Sequence, residues 1–183
     1  MTEPGAGLLR TIRAIDTFSE WSGKTIAWLI LPLVLGLTYE ATARYLFNAP
    51  TLWAFDLSYM LYGAIFMLGA HYTLLKGAHI RTDMLWEKFS VRTKGRIDTV
   101  AYLFFFFPAM ILLFYASFDE AWHSWRMGEL SEQTAWRPIL WPFKAVVPLT
   151  ALLLLIQGVS ELLKSLYAAR TGRFLTTTET IPI

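Results

Sequence analysis

The sequence predicts an all-α membrane protein with four transmembrane helices and both termini in the cytoplasm. Three observations carry this reading. Of 183 residues, 55% are hydrophobic and 16% are charged, against about 25% charged in an average soluble domain. Four apolar stretches of bilayer-spanning length follow one another along the chain. The Lys and Arg residues fall unevenly in the segments that join them: twelve lie on one side and four on the other.

Residues 1–24 read as a cytoplasmic N-terminal arm. Arg10, Arg13, Asp16 and Glu20 interrupt any apolar core, and no signal peptide is evident, so the arm is expected to stay in the mature protein. Residues 25–166 form the four-helix membrane domain, with spans at 25–47, 57–75, 99–118 and 145–166. The second span, Leu57–Leu75, carries no formal charge over nineteen residues. At about 1.5 Å per residue it covers nearly the whole hydrocarbon layer of about 30 Å. The fourth is weaker and spans only if Glu161 and Lys164 lie at the interface. Pro32 and Pro108 each remove a backbone donor, freeing the carbonyls of Trp28 and Phe104, so both sites are expected to bend. Residues 167–183 read as a cytoplasmic tail.

The stretch "KGAHIRTDMLWEKFSVRTKGR", residues 76–96, holds six of the sixteen basic residues. With the N-terminal arm and the C-terminal side it makes up the basic face, so it is read as a cytoplasmic loop. Ile80, Met84, Leu85 and Phe89 recur at helical spacing, which predicts a short interfacial helix touching membrane lipids. Asp83 could cap that helix, and Ser90 or Thr93 the third span.

Several function classes are excluded. There is no Cys, hence no disulfide, iron–sulfur cluster or thiol nucleophile, and a net charge of +2 does not suggest nucleic acid. His71 and His79 lie toward the opposite membrane face from His123, so they cannot share a metal or haem. No phosphate loop, HExxH or Ser–His–Asp pattern appears. The chain is therefore expected not to be an enzyme, and to hold no catalytic, substrate, metal or cofactor site. Nor are ionisable groups placed at mid-membrane depth, as a self-contained transporter needs.

What remains is contact surface. Gly69, Thr73 and Gly77 form a small-xxx-small series that lets another helix approach. Thr150, Gln157, Glu161 and Lys164 share one helical stripe, where Gln157–Glu161 and Glu161–Lys164 can pair. That stripe faces the rest of the chain, the interface or a partner subunit. Arg44 and Asp56 flank the turn "FNAPTLWAFD" and are expected to pair, with Glu40 competing for Arg44. Trp122, Trp125, Trp136 and Trp141 mark an outer loop that is either an aromatic belt or a docking surface.

In their order and spacing these segments resemble a known family over residues 15–167. "ARYLFNAPTLWAFDLS" is similar to the first outer turn of the small membrane (Q) subunit of tripartite ATP-independent periplasmic (TRAP) transporters, with Asp56 where Glu is commoner. "GAHIRTDMLWEKFSVRTKGRID" resembles that family's loop, matching at Gly77, His79, Ile80, Arg81, Asp83, Ser90, Arg92, Lys94, Ile97 and Asp98. "WRMGELS" and "WPFKAVVPLTALLLLIQGVSELL" resemble its C-terminal signature at Glu129, Ser131, Pro142, Lys144, Pro148, Gln157, Gly158 and Glu161, with Thr150 where Gly is common. The form leans toward the branch labelled mannitol/chloroaromatic.

The resemblance implies a scaffold subunit of an ion-gradient-driven importer of organic acids in the bacterial inner membrane. It implies as partners a large transport subunit, which would hold the Na⁺ and substrate sites, and a periplasmic substrate-binding protein. The alternative is a small self-contained four-helix transporter working as a dimer. Arg81 and Asp83 are expected to order the basic loop and to catalyse nothing.

Overall fold

A computed structural model describes residues 5–77 and 89–175. They form α1 (Ala6–Ala27), α2 (Ile30–Leu46), α3 (Ala54–Leu75), α4 (Val91–Ala101), a π-helical turn (Tyr102–Phe106), α5 (Phe107–Met127) and α6 (Trp141–Thr171). No strand occurs among the described residues, and the one β-bridge pairs Leu130 with Ile139 in the α5–α6 loop. Three continuous rods are long and apolar enough to cross a membrane: Ala6–Leu46, Val91–Met127 and Trp141–Thr171. Between them α3 adds a helix of 22 residues, about 33 Å long.

Both prolines act where the sequence places them. Pro32 has no donor for the Trp28 carbonyl, and the backbone tightens there: Leu29 N donates to Ile26 O and Leu31 N to Trp28 O, each three residues back. The α1–α2 junction is this short break within one rod. Pro108 produces a wider turn, in which Phe107 N donates to Tyr102 O five residues back. A π-turn is thus the form the expected bend takes.

The N-terminal stretch is more ordered than an arm. Helix starts at Ala6, and Ile12, Asp16, Ser19 and Gly23 are buried along one stripe. That stripe packs α1 against α3 and α6. A Cβ on Gly23 would lie 2.6 Å from Tyr72 Cδ2, so the two helices meet ring on backbone.

Helix α6 is the centre of the bundle, touching α1, α3, α4 and α5. Close approach is bought by glycine at three of its contacts. Gly63 on α3 receives the Phe143 ring, Gly158 on α6 receives Phe106 from the π-turn, and Gly95 on α4 lies against the α6 backbone. By contrast α2 has no buried residue at all.

Candidate functional site: polar clusters at the two ends of the bundle

The sequence stripe on α6 lies inside the protein at its C-terminal half. Gln157 is fully buried, its Nε2 donating to Glu161 Oε1 at 3.1 Å and to Asp16 Oδ1 at 3.3 Å. Lys164 Nζ bridges Asp16 Oδ2 at 2.9 Å and Glu161 Oε1 at 2.8 Å. Ser160 donates to Asp16 Oδ1 at 2.6 Å. Both pairs expected from the spacing are therefore present. The member that closes the cluster, Asp16, comes from α1. Thr150 is buried on the same helix and donates to its own Val146 carbonyl at 2.8 Å.

One turn further along α1, Ser22 meets His71 of α3. His71 Nδ1 lies 2.6 Å from the Leu68 carbonyl, to which it donates, leaving Nε2 to accept from Ser22 at 2.7 Å. His71 is fully buried and its ring serves helix packing. Next to it Lys76 reaches Glu20 at 3.9 Å, and Glu20 also pairs with Lys24 at 2.9 Å.

At the opposite end the expected Arg44–Asp56 pair does not form. Arg44 is held by Glu40, one turn back on its own helix. The other oxygen of Glu40 accepts from the Thr51 backbone N at 2.9 Å and from the Thr51 hydroxyl, tying the α2–α3 turn to α2. Sequence adjacency at i, i+4 thus outcompetes a pairing across the turn.

Asp56 is instead fully buried. Ser131 donates to its Oδ1 at 2.8 Å, and the Thr134 hydroxyl donates to its Oδ2. Asp56 also lies in the first turn of α3, where the helix dipole favours a negative charge. The same two hydroxyls accept backbone N–H groups of Gln133 and Trp136, so the α5–α6 loop is organised around this carboxylate.

Lys144 on α6 pairs with Glu120 of α5 and Glu129 of the loop, each at 2.6 Å. The Lys144 ammonium hydrogen bond holds the Glu129 carboxyl below its ordinary range. Trp125 and Trp136 remain about half exposed. Trp125 and Trp122 line a groove with Phe114, Phe118 and Trp141 between α5 and α6.

Within the small-residue series on α3, Gly69 stands open among the described residues. A Cβ on Gly69 would meet nothing within 4 Å, and Thr73 donates to the Gly69 carbonyl at 3.3 Å. Gly77 lies just beyond the helix end with a φ of 65°, a conformation that suits glycine as a helix end. His79, Arg81 and Asp83, with the interfacial helix expected around them, lie outside the described residues. Ser90 caps α4, accepting from Thr93 N at 3.3 Å.

Sequence reasoning missed Asp16, Ser160, Thr134 and Glu120 as partners, and it named Ser131 only as a match to the family signature. Ile12, Asp16, Ser19 and Gly23 lie at spacings of four, three and four on the buried side of α1, but only Ile12 is apolar, so the stripe leaves little trace in the sequence.

The buried acids Asp16 and Asp56 are thus matched to a cation or to hydroxyls, while α2 and much of the Val91–Met127 rod carry exposed apolar side chains. Among the described residues no three His, Asp or Glu side chains gather as metal ligands would. Apolar helices of bilayer-spanning length mark a membrane protein. Residues 33–168 match the family model of the tripartite ATP-independent periplasmic transporters, DctQ component, and the chain belongs to that family. It is a transporter component, not an enzyme. No curated protein and no solved structure matches the chain.

Proposed function

We propose that the chain is the small scaffold subunit of a secondary-active importer of organic acids, driven by an ion gradient with Na⁺ as the coupling ion. It braces the large transport subunit, and its α5–α6 loop helps to dock the periplasmic substrate-binding protein. In this reading the chain crosses the bacterial inner membrane four times, with both termini cytoplasmic. Substrate and Na⁺ sites belong to the large subunit.

The observation that carries the reading is the placement of charge. Lys164 is shared by Asp16 and Glu161 at one end, and Lys144 by Glu120 and Glu129 at the other. The faces between carry large exposed apolar side chains, such as Leu35 on α2 and Phe104, Leu112 and Tyr115 on the α5 rod. A carboxylate substrate meets no charged donor there, and desolvating it costs at least several kcal/mol. Such faces suit lipid and a neighbouring helical subunit.

The test joins topology to assembly. Reporter fusions at Gly172 and next to Gly128 are expected on opposite sides of the membrane, with Gly172 cytoplasmic. Affinity-tagged chain is expected to co-purify with the large subunit, and uptake to disappear without it. Uptake by the large subunit alone at the full rate would remove the bracing role.

A further inference from the structure

Helix α4 crosses the C-terminal part of α6 at Gly95. A Cβ there would sit 2.5 Å from Ala169 N and 2.7 Å from Ser165 O, so the backbones touch and only glycine fits. Beside the crossing a groove of about 670 Å³ opens, with Arg92, Arg96 and Val100 on one wall and Leu166 and Arg170 on the other. The α4 residues are spaced at four and four, and the α6 residues at four, so each set shares one helical face. Close packing at Gly95 thus brings three guanidiniums from two helices to one opening, with aliphatic side chains beside them.

Among the described residues no carboxylate lines this groove. Asp98, the acidic residue of α4, lines a different groove with Leu74 and Phe105. None of Arg92, Arg96 and Arg170 forms an ion pair among the described residues. The depth also fits. Arg96 lies twelve residues before Pro108, near the middle of the uncharged run 99–118. At about 1.5 Å per residue that is about 18 Å from the bilayer centre, just outside a hydrocarbon half-layer of about 15 Å, where lipid phosphates lie.

We propose that this groove binds the headgroup of an anionic phospholipid, its phosphate held by Arg92, Arg96 and Arg170 and its acyl chain running over Val100 and Leu166. Guanidinium forks match phosphate oxygens in pairs, and a groove with no carboxylate favours a headgroup with net negative charge. A zwitterionic lipid would bring its own cation toward the three arginines. The inference requires only that the chain sits in a bilayer, so it can fail while the scaffold reading stands.

The experiment is native mass spectrometry of the full chain in detergent, titrated with dioleoylphosphatidylglycerol or dioleoylphosphatidylcholine. The anionic lipid is expected to bind at least tenfold more tightly. The Arg92→Gln/Arg96→Gln/Arg170→Gln variant is expected to lose at least tenfold of that affinity. The Arg10→Gln/Arg13→Gln variant, which removes two charges from an exposed part of α1, is expected to stay within twofold. Should the triple variant fail to fold, Arg96→Gln alone is expected to lose about threefold. Equal affinity for both lipids, or unchanged affinity in the arginine variants, would overturn the proposal. So would displacement of the lipid by millimolar inorganic phosphate, which would mark a free-phosphate site. Retained lipid binding with lost co-purification of the large subunit would assign the arginines to a protein interface instead.

Discussion

Asp16 and Asp56 are both buried carboxylates that fasten one helix to a distant part of the chain, yet their partners differ in kind. Asp16 meets Lys164, Ser160 and Gln157, between 141 and 148 positions away. Asp56 meets two neutral hydroxyls, 75 and 78 positions away, and the first turn of its own helix. Around Asp16 one ammonium is shared by two carboxylates, and removing Asp16 leaves Lys164 with Glu161 while Lys164, Ser160 and Gln157 lose a common acceptor. Around Asp56 the charge is matched by dipoles, and removing it strands only hydroxyls that can turn elsewhere. Burial alone therefore does not set the cost of losing a carboxylate; what its partners carry does.

The largest effect follows from Asp16→Ala. Lys164 keeps Glu161 as its counter-ion, but Lys164, Ser160 and Gln157 lose the acceptor they share, which costs about 3 kcal/mol. The expected readout is a clear fall in melting temperature of the detergent-solubilised chain and a lower protein level. A loss no larger than that of an exposed α1 substitution such as Arg10→Ala would break the comparison from this side.

A smaller loss is expected for Asp56→Ala, about 1–2 kcal/mol, because two hydroxyl donors lose their acceptor. Asp56→Asn should recover part of it, since the amide oxygen still accepts from Ser131. The readout that sharpens the comparison is proteolysis of the 128–140 loop, which should speed up in Asp56→Ala and not in Asp16→Ala. Equal cleavage in both variants would mean that Asp56 does not order the loop.

The smallest effect concerns Glu129. Its folded-state carboxyl is depressed by Lys144, so its contribution is fully present above the unfolded value of about 4.3 and is lost as pH falls through the lower folded value. The melting temperature should drift down in that acidic window, and Glu129→Gln should flatten the drift while Glu120 still holds Lys144. A drift of the same size in the variant would assign it to other carboxylates.

The sequence was most informative where partners share a helix. Gln157, Glu161 and Lys164 could be read as a pairing stripe because helical spacing puts them together, and Glu40 could be named as the competitor for Arg44 for the same reason. It failed where the partner arrives by tertiary packing. Nothing local connects Asp16 to Lys164, or Asp56 to Ser131 and Thr134, and an acid near a turn was paired with the nearest base. The prolines marked the bends, but whether Pro108 gives a kink or a π-turn depends on Phe106 finding Gly158 across the bundle. Gly77 carries a feature that spacing does not show: beside its place in the small-residue series, its positive φ makes it the end of α3. The start of α1 was also hidden, since its charges argued for an arm and its buried stripe is polar and small rather than apolar.

The central claim is that this chain supports transport without touching what is transported. Substrate competition in proteoliposomes holding the assembled complex tests it most directly. Variants at Asp16, Asp56, Trp125 and Trp136 are expected to change the rate or the amount of complex and to leave the order of preference among competing organic acids unchanged. A shifted order of preference from any one of them would place this chain in the transport path and contradict the account.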